Sequence, residues 1–292
     1  IEEVPVNYLS LFSGIGGLDL GLDRAGMTCV GQVERDRFCR RVLDHHWPEV
    51  PKHDDVRTAA AWWLDEPRPR VDVVVGGPPC QGHSVAGKQL GTGDERWGWP
   101  WFRSVTAEFR PPWLLIENVP NLTRTGLVDI LRDLAEDGFD AWWGRVPAAA
   151  LGAPHLRWRL FVIAAHPERV GRDQWSGLGE VGSGWTQSAN RGFDGAMWSL
   201  ADPGGARLPQ RSVPLAGPAS ISDGPRDAVA GGTGSTYRTR LGDWPSEPNV
   251  GRVVDGAPAR VDRLKGLGNA VVPAVGEYVG HLLLAAAGAG HE

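Results

Sequence analysis

The chain has 292 residues, of which 41% are hydrophobic and 22% charged, a balance that predicts a folded globular protein of one or two domains. Its formal net charge of −5 does not indicate a general nucleic-acid-binding protein. No apolar run is long enough to span a membrane, and the three cysteines form neither a disulfide framework nor a zinc-binding pair. We therefore expect a cytoplasmic protein with no metal site.

Strand and helix patterns alternate through the first 165 residues. We predict strands at 7–13, 30–33, 71–75 and 113–116, helices at 18–25, 37–46 and 127–136, and a strand pair at 145–149 and 159–164. This alternation predicts a doubly wound α/β domain over residues 1–165. Residues 166–250 are rich in glycine, proline and serine, which predicts a small, loop-rich domain, with disorder as the alternative. In the remaining segment, 251–292, a helix at 274–286 is expected to pack back on the α/β domain.

The stretch from Val73 to Ser84 runs from a β-branched segment through Gly-Gly-Pro-Pro to Cys80. It predicts a buried strand that stops at a stiff loop, because proline fixes φ and removes a hydrogen-bond donor. The loop presents Cys80 at the carboxyl edge of the sheet, where ligands bind in open α/β folds. From this stretch alone, Cys80 is either a nucleophile or a buried structural cysteine, and neither is favoured.

A glycine turn, Gly14-Ile15-Gly16-Gly17, separates the first strand from the first helix. Backbone N–H groups of such a turn, together with the helix N-terminus, can approach a ligand closely. Glu34 ends the next strand, where a carboxylate can accept hydrogen bonds from ribose hydroxyls. The pair predicts a nucleoside-containing cofactor, with an ordinary α/β turn as the alternative.

Two further charged sites are predicted near the same edge. Glu117 follows a strand among apolar neighbours, which would raise its pKa and let it donate a proton near neutral pH. A strand-end glutamate bonded to a backbone amide is the alternative. Arg157 and Arg159 are predicted on one face of a strand, where two guanidinium groups suit a polyanion or a polar heterocycle. A pair of surface arginines is the alternative, which the apolar run from Leu160 to Ala164 weakens.

In chain order, the Phe-Ser-Gly-x-Gly-Gly turn, the Pro-Pro-Cys loop, the Glu-Asn-Val sequence and the spaced arginine pair together resemble the DNA (cytosine-5) methyltransferases of bacteria and phages. The similarity covers residues 8–165 and 252 to about 281. It implies a Rossmann-like methyltransferase domain, a target-recognition domain at 166–250, and a C-terminal segment that returns to the cofactor pocket.

The cofactor that the resemblance implies is S-adenosylmethionine. The residues that match its site in the family are Phe12, Gly14, Gly16, Gly17, Leu18, Glu34, Asp55, Pro79, Asn269, Ala270 and Val271. Glu34 matches the acid that binds the ribose. Asp55 matches the acid that holds the adenine amino group, with the neighbouring Asp54 as the alternative register.

The resemblance implies a covalent mechanism carried by Cys80, Glu117, Arg157 and Arg159. Cys80 would add to C6 of cytosine and make C5 nucleophilic toward a methyl group. Glu117 would protonate or hydrogen-bond N3, and Arg159 would hold O2. Arg157 would fix the base or lower the pKa of Cys80. The base has to be flipped out of the duplex to reach these groups.

Duplex DNA is the implied substrate. The DNA-contacting residues expected from the loop that closes over the flipped base are Gln81, Ser84, Lys88 and Arg96. Readers of the target sequence are expected among arginines of 166–250, namely Arg191, Arg207, Arg211, Arg226, Arg238 and Arg240. His83 and His155 stand where the family usually has Phe and Gln, which bears on rate or loop behaviour rather than on reaction type.

We expect a monomer that has no membrane partner, and the presence of a cognate restriction endonuclease stays open. A tRNA cytosine-5 methyltransferase on the same scaffold is the closest alternative function. A non-catalytic DNA-binding module is opposed by the intact Cys80, Glu117 and Arg159. A nicotinamide dehydrogenase is opposed by the missing GxGxxG spacing.

Overall fold

The computed structural model describes residues 5–80, 97–170, 199–201 and 259–288. Eight strands form one mixed sheet in the order β3-β2-β1-β4-β5-β7-β6-β8. They are β1 Asn7–Leu11, β2 Thr28–Val33, β3 Lys52–His53, β4 Val73–Gly76, β5 Trp113–Asn118, β6 Asp140–Val146, β7 Arg159–Ala165 and β8 Ser199–Ala201. The first five strands are parallel, and β7 runs antiparallel to both of its neighbours.

Helices fill the connections between the strands. They are α1 Gly17–Arg24, α2 Arg37–His46, α3 Ala59–Leu64, α4 Trp99–Phe109, α5 Leu122–Thr125, α6 Leu127–Glu136, α7 Pro167–Val170, α8 Arg260–Asn269 and α9 Pro273–Ala286. Short 3₁₀ turns occupy Val56–Thr58 and Ala148–Leu151. In the ranges that the structure describes, no helix combines the length and the apolar character needed to cross a membrane.

Side chains alternate between the two faces along each strand, and helices cover both faces of the sheet. Tyr8 points to one face, where Leu22 of α1 and Val279 of α9 pack. Leu9 points to the other face, where Phe102 of α4 packs together with residues of α3 and α6. This confirms the doubly wound α/β class. The strand order through β6, with β7 inserted antiparallel between β5 and β6, is typical of the Rossmann-like methyltransferase domain.

Two predicted helices, at 37–46 and 127–136, have those same bounds in the structure. Several other predicted elements are present but begin or end at a different residue. The first strand is shorter than predicted and ends at Leu11, since Phe12 adopts a positive φ of 56°. The strand predicted at 145–149 was wrong in position, because it ends at Val146 before Pro147 and the following residues form a 3₁₀ turn.

The sequence prediction omitted the four-residue helices α5 and α7 and three longer helices, α3, α4 and α8. The three longer helices make contacts with residues that are distant along the chain. Trp63 of α3, for example, packs against Leu9 and Gly31, which belong to β1 and β2. Its own segment, Ala-Ala-Ala-Trp-Trp-Leu, has no periodic pattern of its own that marks a helix.

The C-terminal helix α9 packs on α1, as the sequence predicts. The two backbones approach so closely that a Cβ atom on Gly21 would overlap the carbonyl oxygen of Pro273 and lie 2.5 Å from the amide nitrogen of Glu277. One turn further along, a Cβ on Gly280 would lie 2.7 Å from the Cβ of Ala25. Because these positions are glycine, α9 can pack directly against α1, although the two helices lie far apart along the chain.

Replacing Gly21 with alanine is expected to destabilise the fold by about 2 kcal/mol, because the new methyl group meets backbone that has no room to move aside. The matched control is Gly268→Ala, also at a helical glycine but with nothing within 4 Å of its added Cβ. Thermal unfolding followed by circular dichroism checks this. Gly21→Ala should melt about 4 to 8 °C below wild type, and Gly268→Ala at or above it. Equal melting temperatures for the two variants would contradict the packing argument.

Candidate active site

A cavity of about 890 Å³ opens at the carboxyl edge of the parallel strands. Its walls come from the residues that follow β1, β2, β4 and β5, together with α8 and the segment after it. In an open α/β sheet this edge is where ligands bind, because the strand order changes direction there and leaves a crevice. The cavity therefore lies where the sequence places the reactive loop and the glycine turn.

The structure brings together nearly all the described residues of the predicted site. Those that line the cavity are Phe12, Gly14, Gly17, Leu18, Glu34, Asp55, Pro79, Cys80, Glu117, Arg159, Asn269, Ala270 and Val271. Gly16 lies behind the turn, where an added Cβ would overlap the indole of Trp47, so it shapes the turn without lining the cavity. Arg157 lies outside the lining as well.

The glycine turn holds its shape through a few backbone contacts. Ser13 N donates to Val33 O at 3.2 Å, and Gly14 N donates to Glu34 Oε2 at 2.7 Å. Phe12 and Gly14 have positive φ angles of 56° and 58°, which turn the chain sharply out of β1. A Cβ on Gly14 would meet nothing within 4 Å, so the open side of the turn faces free space. A ligand could occupy that space against the backbone.

Glu34 links the glycine turn to the start of α2. Its Oε1 accepts from Asp36 N at 2.6 Å while its Oε2 holds Gly14. Asp36 in turn caps α2 by accepting from Phe38 N at 2.8 Å, and its Oδ2 accepts from Lys265 Nζ at 2.8 Å. Through this last pair, α8 is fixed across the edge of the cavity, a contact that the sequence reasoning missed because its members are 229 residues apart.

Asp54 and Asp55 both line the cavity, so lining alone does not separate the two registers. Asp55 caps the 3₁₀ turn by accepting from Arg57 N at 3.0 Å, and it also pairs with the Arg57 guanidinium. This hydrogen-bonded pairing lowers the pKa of Asp55 to about 2. Asp55 is therefore an ionised acceptor at any physiological pH.

The C-terminal segment reaches the cavity beside the glycine turn. A Cβ on Gly17 would overlap the carbonyl oxygen of Val271, so the start of α1 and the residues after α8 are in direct contact. Asn269 and Ala270 complete this wall.

The Cys80 loop is fixed from both sides. Asn118 Nδ2 donates to Pro78 O at 2.9 Å, and Gly98 N donates to Pro79 O at 2.8 Å. Cys80 itself forms an isolated antiparallel bridge with Trp97. Asn118 is a residue whose role the sequence reasoning missed. Its position directly after Glu117 in the Glu-Asn-Val sequence was visible, but its partner 40 residues away was not.

Glu117 lies inside strand β5, one residue further into the sheet than predicted. Its carboxylate Oε1 lies 2.8 Å from Arg159 Nε, as an ion-pair contact without the alignment of a hydrogen bond, and both side chains are about nine-tenths buried. Burial raises the pKa of Glu117 to about 7, while Arg159 and then Arg157 act in the opposite direction. A Cβ on Gly77 would lie 2.7 Å from Glu117 Oε2, so glycine at this position keeps space for the carboxylate.

Burial also raises the pKa of Cys80, and the negative charge of Glu117 adds to this effect. Backbone hydrogen bonds of Cys80 and Val119, and then the charge of Arg159, lower it, but not enough to reverse the shift. Burial therefore favours the thiol form of Cys80. The sequence offered Arg157 as a residue that fixes the base or lowers the pKa of Cys80; the arginine that lowers this pKa in the structure is Arg159.

The placement of Arg157 on a strand beside Arg159 was wrong. Arg157 precedes β7 and has a φ of 33°, a turn conformation that breaks the two-residue alternation of a strand. Its guanidinium donates to the carbonyl oxygens of Leu267, Gly268 and Ala270, with Nη2 to Ala270 O at 2.5 Å. Arg157 thus fixes the C-terminal segment against the cavity rather than facing the same way as Arg159.

Some predicted sites lie outside the described residues. They are Gln81, Ser84, Lys88 and Arg96 of the loop and all six arginines of 166–250. Within residues 5–80, 97–170, 199–201 and 259–288, no three His, Cys, Asp or Glu side chains group together as metal ligands.

Comparisons with known proteins identify the family of the chain. The family model for C-5 cytosine-specific DNA methylases matches residues 6–179. The type II methyltransferase M2.BsuMI of Bacillus subtilis is 32% identical over 169 residues, covering 55% of this chain and 42% of that protein. M.DsaV of Dactylococcopsis salina is 30% identical over 170 residues, covering 56% of this chain and 46% of that protein. A crystal structure described as a prophage-encoded DNA modification methyltransferase of E. coli has a TM-score of 0.47 at 29% identity, covering 56% of this chain and 47% of that one.

The sheet and its cavity define a Rossmann-like methyltransferase domain. Because the family model matches more than half of the residues, the chain belongs to the C-5 cytosine-specific DNA methylase family. The matched part spans less than half the length of the two relatives named above.

The raised pKa of Glu117 predicts a characteristic pH dependence of stability. The pKa of Glu117 is about 7 in the folded protein and lower in the unfolded chain. The unfolding free energy therefore falls as pH rises from the unfolded pKa to the folded pKa, because only the unfolded chain ionises readily in that range. The unfolding free energy of wild type, relative to Glu117→Gln, should therefore fall on the order of 3 kcal/mol between about pH 5 and pH 8. Other titrating groups are common to both proteins and cancel. Denaturant titrations across this range measure the difference, and parallel curves for the two proteins would rule out the shift.

Proposed function

We propose that this chain transfers a methyl group from S-adenosylmethionine to C5 of a cytosine that is flipped out of duplex DNA. The observation that carries the proposal is the contact between Glu117 and Arg159 in the same cavity as Cys80. A thiol, a carboxyl group with a pKa of about 7 and a guanidinium are the groups that nucleophilic addition to a cytosine ring requires.

The residues of the cavity suit S-adenosylmethionine. The glycine turn leaves open space beside Gly14, and α1 begins there with its N-terminus, which favours an anionic group such as the methionyl carboxylate. Glu34 uses one lone pair of each oxygen on the backbone and retains others for ribose hydroxyls. Asp55 is an ionised acceptor for an adenine amino group. When bound, this cofactor supplies the electrophilic methyl group.

Cys80 acts as the nucleophile. Its sulfur forms a bond to C6 of cytosine, and the π electrons of the C5–C6 bond make C5 electron-rich. Since burial raises the pKa of Cys80, the thiol has to give its proton to solvent water as its sulfur attacks. The methyl transfer would leave S-adenosylhomocysteine as the second product. C5 then loses its proton to solvent water, the electron pair of the C5–H bond restores the C5–C6 double bond, and the thiolate leaves.

Glu117 acts as the acid for the ring. Its pKa of about 7 means that a large fraction is protonated at neutral pH, so it can donate to N3 as Cys80 attacks. The proton returns to Glu117 when the thiolate leaves. Arg159 stabilises the carboxylate formed in between, and it is suited to hold O2 of the base.

Arg157 has a supporting role in this proposal. Because it donates to the carbonyls of Leu267, Gly268 and Ala270, it holds the segment whose residues form the cofactor wall. It also lowers the pKa of Glu117 by its charge, after Arg159.

Flipping of the target base and recognition of the surrounding sequence are separate requirements. The chemistry requires an unstacked cytosine, because a thiol cannot reach C6 inside a stacked duplex. Recognition of a short sequence is assigned to the target-recognition domain at 166–250, and closure over the base to Gln81, Ser84, Lys88 and Arg96. A monomeric state belongs to the same proposal, and the presence of a cognate endonuclease stays open.

Bisulfite sequencing of DNA from cells that express the chain tests the activity and gives the recognition sequence. Cells expressing Cys80→Ser provide the control. Wild type should protect cytosines within one short motif, and the variant should protect none. Methyl transfer to tRNA but not to DNA would favour the tRNA alternative, and protection by Cys80→Ser would overturn the nucleophile assignment.

A duplex with 5-fluorocytosine at the motif found by bisulfite sequencing, incubated with the protein and S-adenosylmethionine, tests covalency. After methyl transfer, fluorine at C5 cannot be removed as a proton, so the thiolate cannot leave and the adduct between sulfur and C6 should accumulate to about one per protein. Peptide mass mapping should place it on Cys80. The two buried cysteines, Cys29 and Cys39, are internal controls that should stay unmodified. A stable, active protein that forms no adduct would contradict the covalent route.

A further inference from the structure

Asp19 is a buried carboxylate that the mechanism above does not use. It lies in the first turn of α1, two residues after the glycine turn, and its exposed fraction is 0%. Beneath it, Ser10 of β1 and Gln32 of β2 are paired in register on the face of the sheet that α1 covers. Asp19 and Ser10 both line the cavity that contains Glu34 and Cys80.

The side chains of Gln32 and Ser10 both hydrogen-bond to this carboxylate and lower its pKa, although burial outweighs them. Asp19 Oδ1 accepts from Gln32 Nε2 at 3.0 Å, and Cys29 Sγ lies 4.0 Å from the same oxygen. Within the described residues, Asp19 Oδ2 has no partner that meets hydrogen-bond geometry. A buried carboxylate oxygen without a partner is costly, and a bound ligand, ion or water is what compensates such a group.

The surroundings of Asp19 supply no positive charge. The titratable groups that face it are Tyr8 on β1, Cys29 on β2 and Asp23 on α1. The helix α9 meets α1 through its backbone at Gly21. No Arg or Lys of the described residues is among the groups that act on Asp19, so the carboxylate has no protein cation as a partner.

The proposed ligand has a cation for this end of the cavity. If Glu34 holds the ribose and the methyl group faces Cys80, the methionyl moiety extends toward the glycine turn and the start of α1. Its carboxylate suits the N–H groups of the helix N-terminus. Its ammonium group needs acceptors, and Asp19 is a buried carboxylate of that wall with one oxygen that has no partner among the described residues.

We propose that the Asp19 carboxylate is the counter-charge for the ammonium group of the methionyl moiety of S-adenosylmethionine. The inference rests on the proposed function and assigns a cofactor-binding role to a residue outside the matched motif positions. Ser10 of β1 also lines the cavity, and its side chain hydrogen-bonds to the Asp19 carboxylate.

A pH dependence of cofactor binding follows from the assignment. In the ligand-free protein, burial raises the pKa of Asp19 to about 6. A bound cation favours the ionised carboxylate, so below that pKa binding must release a proton. Affinity should therefore weaken as pH falls from about 7 to about 5, by on the order of tenfold.

Isothermal titration calorimetry with two ligands separates this role from a structural one. S-adenosylhomocysteine retains the ammonium group and cannot react, while 5′-methylthioadenosine keeps the nucleoside but lacks the amino-acid moiety. Asp19→Asn should weaken S-adenosylhomocysteine on the order of tenfold or more at pH 7.5 and leave 5′-methylthioadenosine within about twofold. It should also remove the loss of affinity between pH 7 and pH 5.

The matched control is Asp23→Asn, one turn further along α1. Asp23 accepts from Tyr8 Oη at 2.8 Å and Trp47 Nε1 at 2.6 Å and does not line the cavity, so at pH 7.5, where Asp19 is ionised in both proteins, this variant should bind both ligands as wild type does. Melting curves confirm that the compared proteins are folded. An amide at position 19 can still accept from Gln32, so Asp19→Asn should melt no lower than wild type.

Each other outcome has a distinct meaning. Equal binding of S-adenosylhomocysteine by wild type and Asp19→Asn across the pH range would overturn the inference and leave the proposed function standing. Equal weakening of both ligands would make Asp19 structural and overturn it as well. A wild-type protein that binds neither ligand would instead count against the proposed function.

Discussion

The contact between Glu117 and Arg159 is the interaction on which the candidate site depends. It joins two neighbouring strands, since β5 carries Glu117 near its end and the antiparallel β7 begins with Arg159. An isolated buried carboxylate would be neutral, and an isolated buried guanidinium would be strongly unfavourable. Together the two charges are tolerated, but burial still raises the pKa of Glu117 to about 7. Gly77 on the adjacent loop preserves the space that this arrangement needs.

This contact also affects the protonation state of Cys80, although burial has the larger effect. A negative charge on Glu117 raises the pKa of Cys80, so ionising either group makes ionising the other harder. A thiolate is therefore favoured when Glu117 is protonated, which is the combination that the proposed mechanism requires. The positive charge of Arg159 favours the ionised form of both groups.

The parts of the fold that the sequence predicts best are those specified by neighbouring residues. The helix α2 has a capping Asp36 directly before it and buries Cys39 and Leu43 at helical spacing, so both its limits are visible in the sequence. The Cys80 loop is similarly local, because its glycines and prolines constrain the backbone whatever surrounds them. The edge of the sheet that these elements share then follows from the parallel order of the strands.

The errors and omissions arise where a residue's role depends on distant contacts. Alternation predicted that Arg157 and Arg159 share a face, but Arg157 bonds to carbonyls more than 100 residues away and leaves the strand conformation. In Leu-Asp-Leu-Gly-Leu-Asp, the position of Asp19 resembles an ordinary polar position of an amphipathic helix. Its burial becomes apparent only when α1 is placed over the polar Ser10 and Gln32.

The net charge of the chain does not oppose the proposed substrate. The carboxylates of Asp19, Glu34 and Asp55 line the cavity at the glycine turn, the end of β2 and the loop after β3, together with cations such as Arg57, which pairs with Asp55. Arg159 lines it beside Cys80 and Glu117. Since exposed charges farther apart than about 10 Å are largely screened by salt, the charges that line the cavity matter more to a bound ligand than the net charge of −5. Among these charges, Asp19 is a carboxylate that the proposed cofactor's ammonium group would compensate, and Arg159 is the cation that the proposed base would meet.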